Sequence, residues 1–244
     1  MAGTTAERQE DGFIKAINAA VKNNPSGINI KAGLVTVSGV IKAEKFAGRQ
    51  ISGSEPYIDV NLYLADGKTT VGISMKGQSA PSLAGGGLKG INLAVPGLAN
   101  KFMKAVLTHL NKKIKSGDKV PDCYGKISNQ HKVKIVVGNK NMGGPIDYMY
   151  IGNMNPTFTF NKNTNTLSFT NGNFYEAIKY AKSHNLYFRL RARRKDQVFD
   201  PDATDAQHIP KIYSKSPSRS DSAGRIVVTD KVPANALQNI VNVV

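Results

Sequence analysis

The chain has 244 residues, of which 40% are hydrophobic, enough for a sizeable core, and it contains no Trp. Lys and Arg number 33 against 17 Asp and Glu, a formal charge of +16, which favours a polyanionic partner, nucleic acid first. One cysteine, Cys123, excludes an intramolecular disulfide and any cysteine-based zinc cluster. No apolar run approaches the ~20 residues of a membrane span, and the polar start MAGTTAERQEDG lacks the apolar core of a secretory signal, so a cytoplasmic protein with no membrane partner is expected.

Thr5 can cap a first helix reaching about Asn23, with Phe13, Ile14, Ile17, Ala20 and Val21 as its apolar stripe. Glu7 and Glu10 lie near its start, where the helix dipole favours carboxylates. Short apolar runs between Ile28 and Phe46 suggest one or two strands bent at Gly33 and Gly39, followed by a basic approach, KFAGRQISGSE.

Pro56–Gly77 reads as a hairpin. Ile58, Val60, Leu62 and Leu64 alternate with Asp59, Asn61 and Tyr63, the chain turns through Ala65–Lys68, and Val71, Ile73 and Met75 return opposite Gly72, Ser74 and Lys76. An acid near the start of one strand can thereby meet a Lys near the end of the next. This arrangement resembles the core of the PD-(D/E)XK nuclease superfamily, the restriction-endonuclease-like enzymes, whose pattern is an acid on one strand and (D/E)-x-K on its neighbour. Asp59 stands at the first acid and Lys76 at the Lys, whereas Ser74 stands where the second acid is expected. Glu55, or Glu10 from the first helix, can supply the missing acid. The resemblance implies an α+β fold with an αβββαβ core (about 6–138) followed by a β-rich extension (about 139–244) in a single domain. It also implies Mg²⁺- or Mn²⁺-dependent hydrolysis of a phosphodiester, DNA before RNA, with Asp59, Glu55 and Glu10 as metal ligands and Lys76 beside the attacking water.

The segment after Lys76, GQSAPSLAGGGLKGINLAVPG, reads as a glycine-rich loop in which Lys89 and backbone N–H groups could cradle a phosphate. A long helix follows from Pro96 to about Lys115, with Leu98, Phe102, Val106, Leu110 and Ile114 on one stripe and lysines off it. KVKIVVG (132–138) and DYMYIGN (147–153) read as strands, Thr157–Phe169 as a hairpin about an Asn-rich turn, and Phe174–His184 as a short helix. LYFRLRARRK (186–195) reads as a strand with Tyr187, Arg189, Arg191 and Arg193 on one face and Arg194 beyond, a stripe suited to a phosphate backbone. The apolar tail Pro233–Val244 is expected to be helical and to dock or to mediate a homo-oligomer. The alternative to the nuclease is a non-catalytic basic nucleic-acid-binding protein or a phage virion structural protein, and Ser74 is the feature that favours it.

Overall fold

In the computed structural model, residues 5–49, 51, 55–78, 83, 87–191, 196–205, 207–214 and 225–243 are described, residues 5, 6 and 225 by their backbone alone. The fold is mixed α+β. Its elements in chain order are α1 (Thr5–Lys22), β1 (Ile28–Ala32), β2 (Val35–Lys45), β3 (Val60–Leu64), β4 (Thr70–Gly77), α2 (Gly87–Ala94), α3 (Leu98–Leu110), β5 (Cys123–Lys126) and α4 (Asn129–Val137). There follow β6 (Tyr148–Gly152), β7 (Phe158–Asn161), β8 (Thr166–Phe169), β9 (Gly172–Glu176), α5 (Ala177–Ser183), β10 (Tyr187–Arg191), β11 (Arg225–Thr229) and β12 (Ile240–Val241). The chain divides into two compact units, Met1–Pro81 with Val136–Ser183, and Ser82–Ile135 with His184–Val244.

The first unit is built on an eight-stranded sheet in the order β7-β8-β1-β2-β3-β4-β6-β9. β1 to β4 form an antiparallel meander, β6 joins β4 in parallel, and β8 joins β1 in parallel. α1 lies on this sheet because its apolar stripe falls on one face: Phe13, Ala16 and Ile17 are buried against Ile30, Val40, Leu62, Ile73 and Tyr150. The Phe13 ring stacks on Phe169 with centroids 4.5 Å apart.

Two amide side chains fix α1 in place. β2 outruns β1, and beyond Val40 its outward backbone groups need other partners. Asn18 supplies them: its Nδ2 donates to the Ala43 carbonyl and its Oδ1 accepts from the Ala43 N–H, both at 2.9 Å. Nearer the helix start, buried Gln9 directs its Nε2 at the carbonyls of Lys76 (3.3 Å), Gly152 (3.1 Å) and Asn153 (3.1 Å).

The second unit carries a four-stranded sheet, β11-β10-β5-β12. Phe102 of α3 and Phe188 of β10 pack with ring centroids 5.3 Å apart in its core.

The structure departs from the sequence expectations in four places. KVKIVVG is not a strand, because residues Asn129–Val137 form helix α4. A short β-branched run has no decisive period; the Ser128 carbonyl accepts from the His131 and Lys132 N–H groups where the helix begins, and Gly138, at φ 72°, closes the end in the left-handed conformation. The next expected strand, 147–153, is present as β6. The glycine-rich segment is not wholly loop, since Gly87–Ala94 is helical. Phe174–Glu176 belong to β9, and only Ala177–Ser183 continue as helix. In the tail, Ala234–Asn239 form a 3-10 turn and Ile240–Val241 pair in parallel with β5, so the tail completes its own unit's sheet.

Candidate active site

Asp59 lies one residue before β3, and three sets of backbone bonds hold it. Its N–H donates to the Ile73 carbonyl at 2.9 Å, its own carbonyl accepts from Phe46 at 3.0 Å, and the preceding Tyr57 and Ile58 N–H groups donate to Met142 and Gly143. Across the antiparallel pair, Val60 faces Ile73, which sets Asp59 beside the outgoing end of β4. There Ser74 Oγ donates to Asp59 Oδ2 at 3.1 Å, the Met75 N–H donates to the same oxygen at 2.6 Å, and Lys76 Nζ stands 3.8 Å from it. The two strands thus bring Asp59, Ser74 and Lys76 together as the hairpin register requires. Ser74 is buried, whereas the Asp59 and Lys76 side chains keep 23% and 16% exposure, enough for a ligand to reach them.

Asp59 and Lys76 open into a pocket of about 410 Å³ that Glu7, Glu10, Lys45, Phe46, Glu55, Pro56 and Met75 also line. Both alternative acids, Glu10 and Glu55, therefore share the pocket with Asp59. Glu7 and Lys45 were not singled out from the sequence. Glu7 was recoverable, since Glu7 and Glu10 are one helical turn apart, whereas Lys45 enters through its pairing with Val60, the neighbour of Asp59, which the sequence does not show. Lys45 Nζ lies 2.9 Å from Asp11 and 3.7 Å from Glu10.

The carboxylates crowd one another. Burial is the main cause that raises the Asp59 carboxyl above its ordinary range; Lys76 and the Met75 and Ser74 donors oppose it, and Glu55 adds to it. Burial likewise raises Glu10, followed by the charge of Asp59, with Lys45 pulling the other way. A hard divalent cation relieves such repulsion, and oxygen donors of this kind suit Mg²⁺ or Mn²⁺. Among the described residues, no three Asp, Glu, His or Cys side chains are gathered closely enough to hold a metal ion by themselves.

The other residues singled out lie in the second unit. Lys89 is exposed on α2. Tyr187, Arg189 and Arg191 share the half-exposed face of β10, opposite buried Phe188 and Leu190. The Arg189 guanidinium donates through both Nε and Nη2 to Asp122 Oδ2, so its charge is already matched. Arg193 and Arg194 lie outside the described residues. Among the described residues no helix is long and apolar enough to cross a membrane. No family model matches the chain, and neither a curated protein nor a solved structure shows significant similarity to it.

Proposed function

We propose that the chain is a metal-dependent nucleic-acid phosphodiesterase, an endonuclease of the PD-(D/E)XK type acting on DNA before RNA. The observation that carries this reading is the convergence of Asp59 and Lys76, from adjacent strands, on one pocket lined by further carboxylates. The order of elements in the first unit supports it: α1, a meander ending in β4, then β6 parallel to β4, compatible with an αβββαβ core whose crossover passes through the second unit.

In this reading Asp59 and Glu10 would hold the cation, with Glu55, which lines the same pocket, as the alternative ligand. These residues would hold Mg²⁺ or Mn²⁺, which when bound would supply Lewis-acid polarisation of the phosphate and activation of a water. Ser74 and the Met75 N–H orient Asp59 through Oδ2. The Lys76 ammonium, held beside Asp59, stabilises the charge that develops on the phosphate oxygens. Gln9 fixes the α1 turn that bears Glu10 against the carbonyl of Lys76.

The test is cleavage of plasmid and single-stranded DNA with Mg²⁺ or Mn²⁺ by wild type, Asp59→Ala and Lys76→Ala. Metal-dependent cutting reduced by about 10²-fold or more in both variants, with DNA binding retained, is the expected result. A non-catalytic nucleic-acid-binding or virion protein is the second reading, favoured by Ser74 in the position of an acid and by the lack of a three-acid cage among the described residues. Salt-sensitive binding without cutting on every substrate selects it.

A further inference from the structure

The positive charge is unevenly shared. Twenty of the 33 Lys and Arg residues, but only eight of the 17 acids, fall in the second unit, which thus carries twelve of the sixteen surplus charges. From Gly67 to Gly117 the sequence contains no acid at all. α3 lies within that stretch. It buries Leu98, Ala99, Phe102, Met103, Val106 and Leu110, and its opposite face is exposed.

At 100° per residue, Lys101, Lys104, Thr108 and Lys112 fall within one quadrant of the helix surface, centred opposite the buried residues. Past Leu110 the chain continues in a tight turn, in which Asn111 donates to Leu107 and Lys112 to His109, so Lys112 follows directly on the C-terminal end of the stripe. All three lysines are exposed, and none takes part in an ion pair among the described residues. Asp118 ends the stripe: its carboxylate accepts the Lys115 N–H at 2.7 Å. This contrasts with β10, where Asp122 engages Arg189.

We propose that Lys101, Lys104 and Lys112 form a phosphate track, a face of α3 that holds the sugar-phosphate backbone of a nucleic-acid duplex without regard to sequence. The assignment rests on the nuclease reading for the identity of the polyanion and moves the main backbone contact from the arginine stripe of β10 to α3. The three ammonium groups span about 16 Å along the helix, at 1.5 Å per residue, matching several successive phosphates. As flexible point charges they follow a backbone without reading bases.

The test is fluorescence anisotropy of labelled duplex DNA and duplex RNA in EDTA, over a salt series, with the full-length chain. Wild type is compared with Lys101→Ala/Lys104→Ala/Lys112→Ala and with a control of equal charge change on the first unit, Lys68→Ala/Lys140→Ala/Lys162→Ala. Alanine preserves the helix, and circular dichroism checks that it does. The expected result is a salt slope lower by about 2–3 for the α3 variant, roughly 0.9 for each duplex phosphate contact, with affinity lower by at least about tenfold at low salt. The control keeps the wild-type slope. An α3 variant that matches wild type, or a control that loses as much, overturns the proposal. So does binding to phosphatidylserine vesicles without binding to either duplex. Cleavage assays remain separate: cutting with an unaffected α3 variant removes this inference alone, and a lowered slope without cutting removes the nuclease reading alone.

Discussion

Ser74 donates its hydroxyl to Asp59 Oδ2 at 3.1 Å from a buried position where the nuclease pattern carries a second acid. The hydroxyl therefore acts on the Asp59 carboxylate. It stabilises the ionised form of Asp59 and opposes the effect of burial.

Ser74→Ala removes that donor, so the Asp59 carboxyl rises further. A Mn²⁺-binding titration followed by electron paramagnetic resonance across pH should show its midpoint displaced upward relative to wild type. An unchanged midpoint would separate Ser74 from the site.

Asp59→Asn should stabilise the metal-free protein at neutral pH. The folded-state pKa of Asp59 is raised, so its favourable protonation is fully present below the unfolded value of about 3.9 and is lost as pH rises through the folded value. In EDTA the Asn variant should therefore melt higher than wild type at pH 7, the gap closing as pH falls towards 4. Added Mg²⁺ should raise the Tm of wild type and leave that of Asp59→Asn unmoved. Calorimetry decides both points.

Asn18→Ala strips two partners from the Ala43 backbone at the end of β2. The expected cost is about 2 kcal/mol in urea unfolding. Asn18→Asp should recover less than half of it, because a carboxylate cannot donate to the Ala43 carbonyl. Full recovery by Asp would show that only the N–H bond matters.

The Tyr150 ring lies over Gly152 and Gly172, and a Cβ built at Gly172 falls 2.3 Å from its Oη. Gly172→Ala should cost about 1–3 kcal/mol by overpacking, with much of the loss recovered in combination with Tyr150→Leu. Among the described residues the buried Tyr150 hydroxyl has no hydrogen-bond partner, and burial pushes its pKa up to about 12. Tyr150→Phe alone should be neutral or stabilising. A loss beyond about 1 kcal/mol would indicate a partner for that hydroxyl.

The parts legible in the sequence were those with strong periods. The α1 stripe, the Pro56–Gly77 hairpin, the α3 stripe and the alternation of β10 all follow from residues three to four apart or two apart, and the strand register was enough to bring Asp59 to Lys76. What failed was local. The run Lys132–Gly138 carries apolar β-branched residues that suit either element, and only Ser128 and Gly138, as end signals, argued for α4. Lys45 and Gln9 stayed hidden for another reason: each acts through pairings distant in the sequence, Lys45 across β2–β3 and Gln9 from α1 to Gly152. The pairing of Arg189 with Asp122 was equally invisible, because acids near in space are not near in the chain.

The division of the chain bears on how the protein can be made and dissected. Each unit is assembled from two separate stretches, and the sheet that carries Asp59 and Lys76 needs β6, β8 and β9 from beyond the first stretch of the other unit. On the ribosome, the meander must therefore wait, with the β1 and β4 edges bare, until Tyr148–Glu176 have emerged. No single contiguous fragment consists of one unit alone, so a truncation that removes the lysine-rich unit entirely also deletes strands from the pocket's own sheet. Separating the two calls for a spliced gene that joins the two stretches of one unit directly.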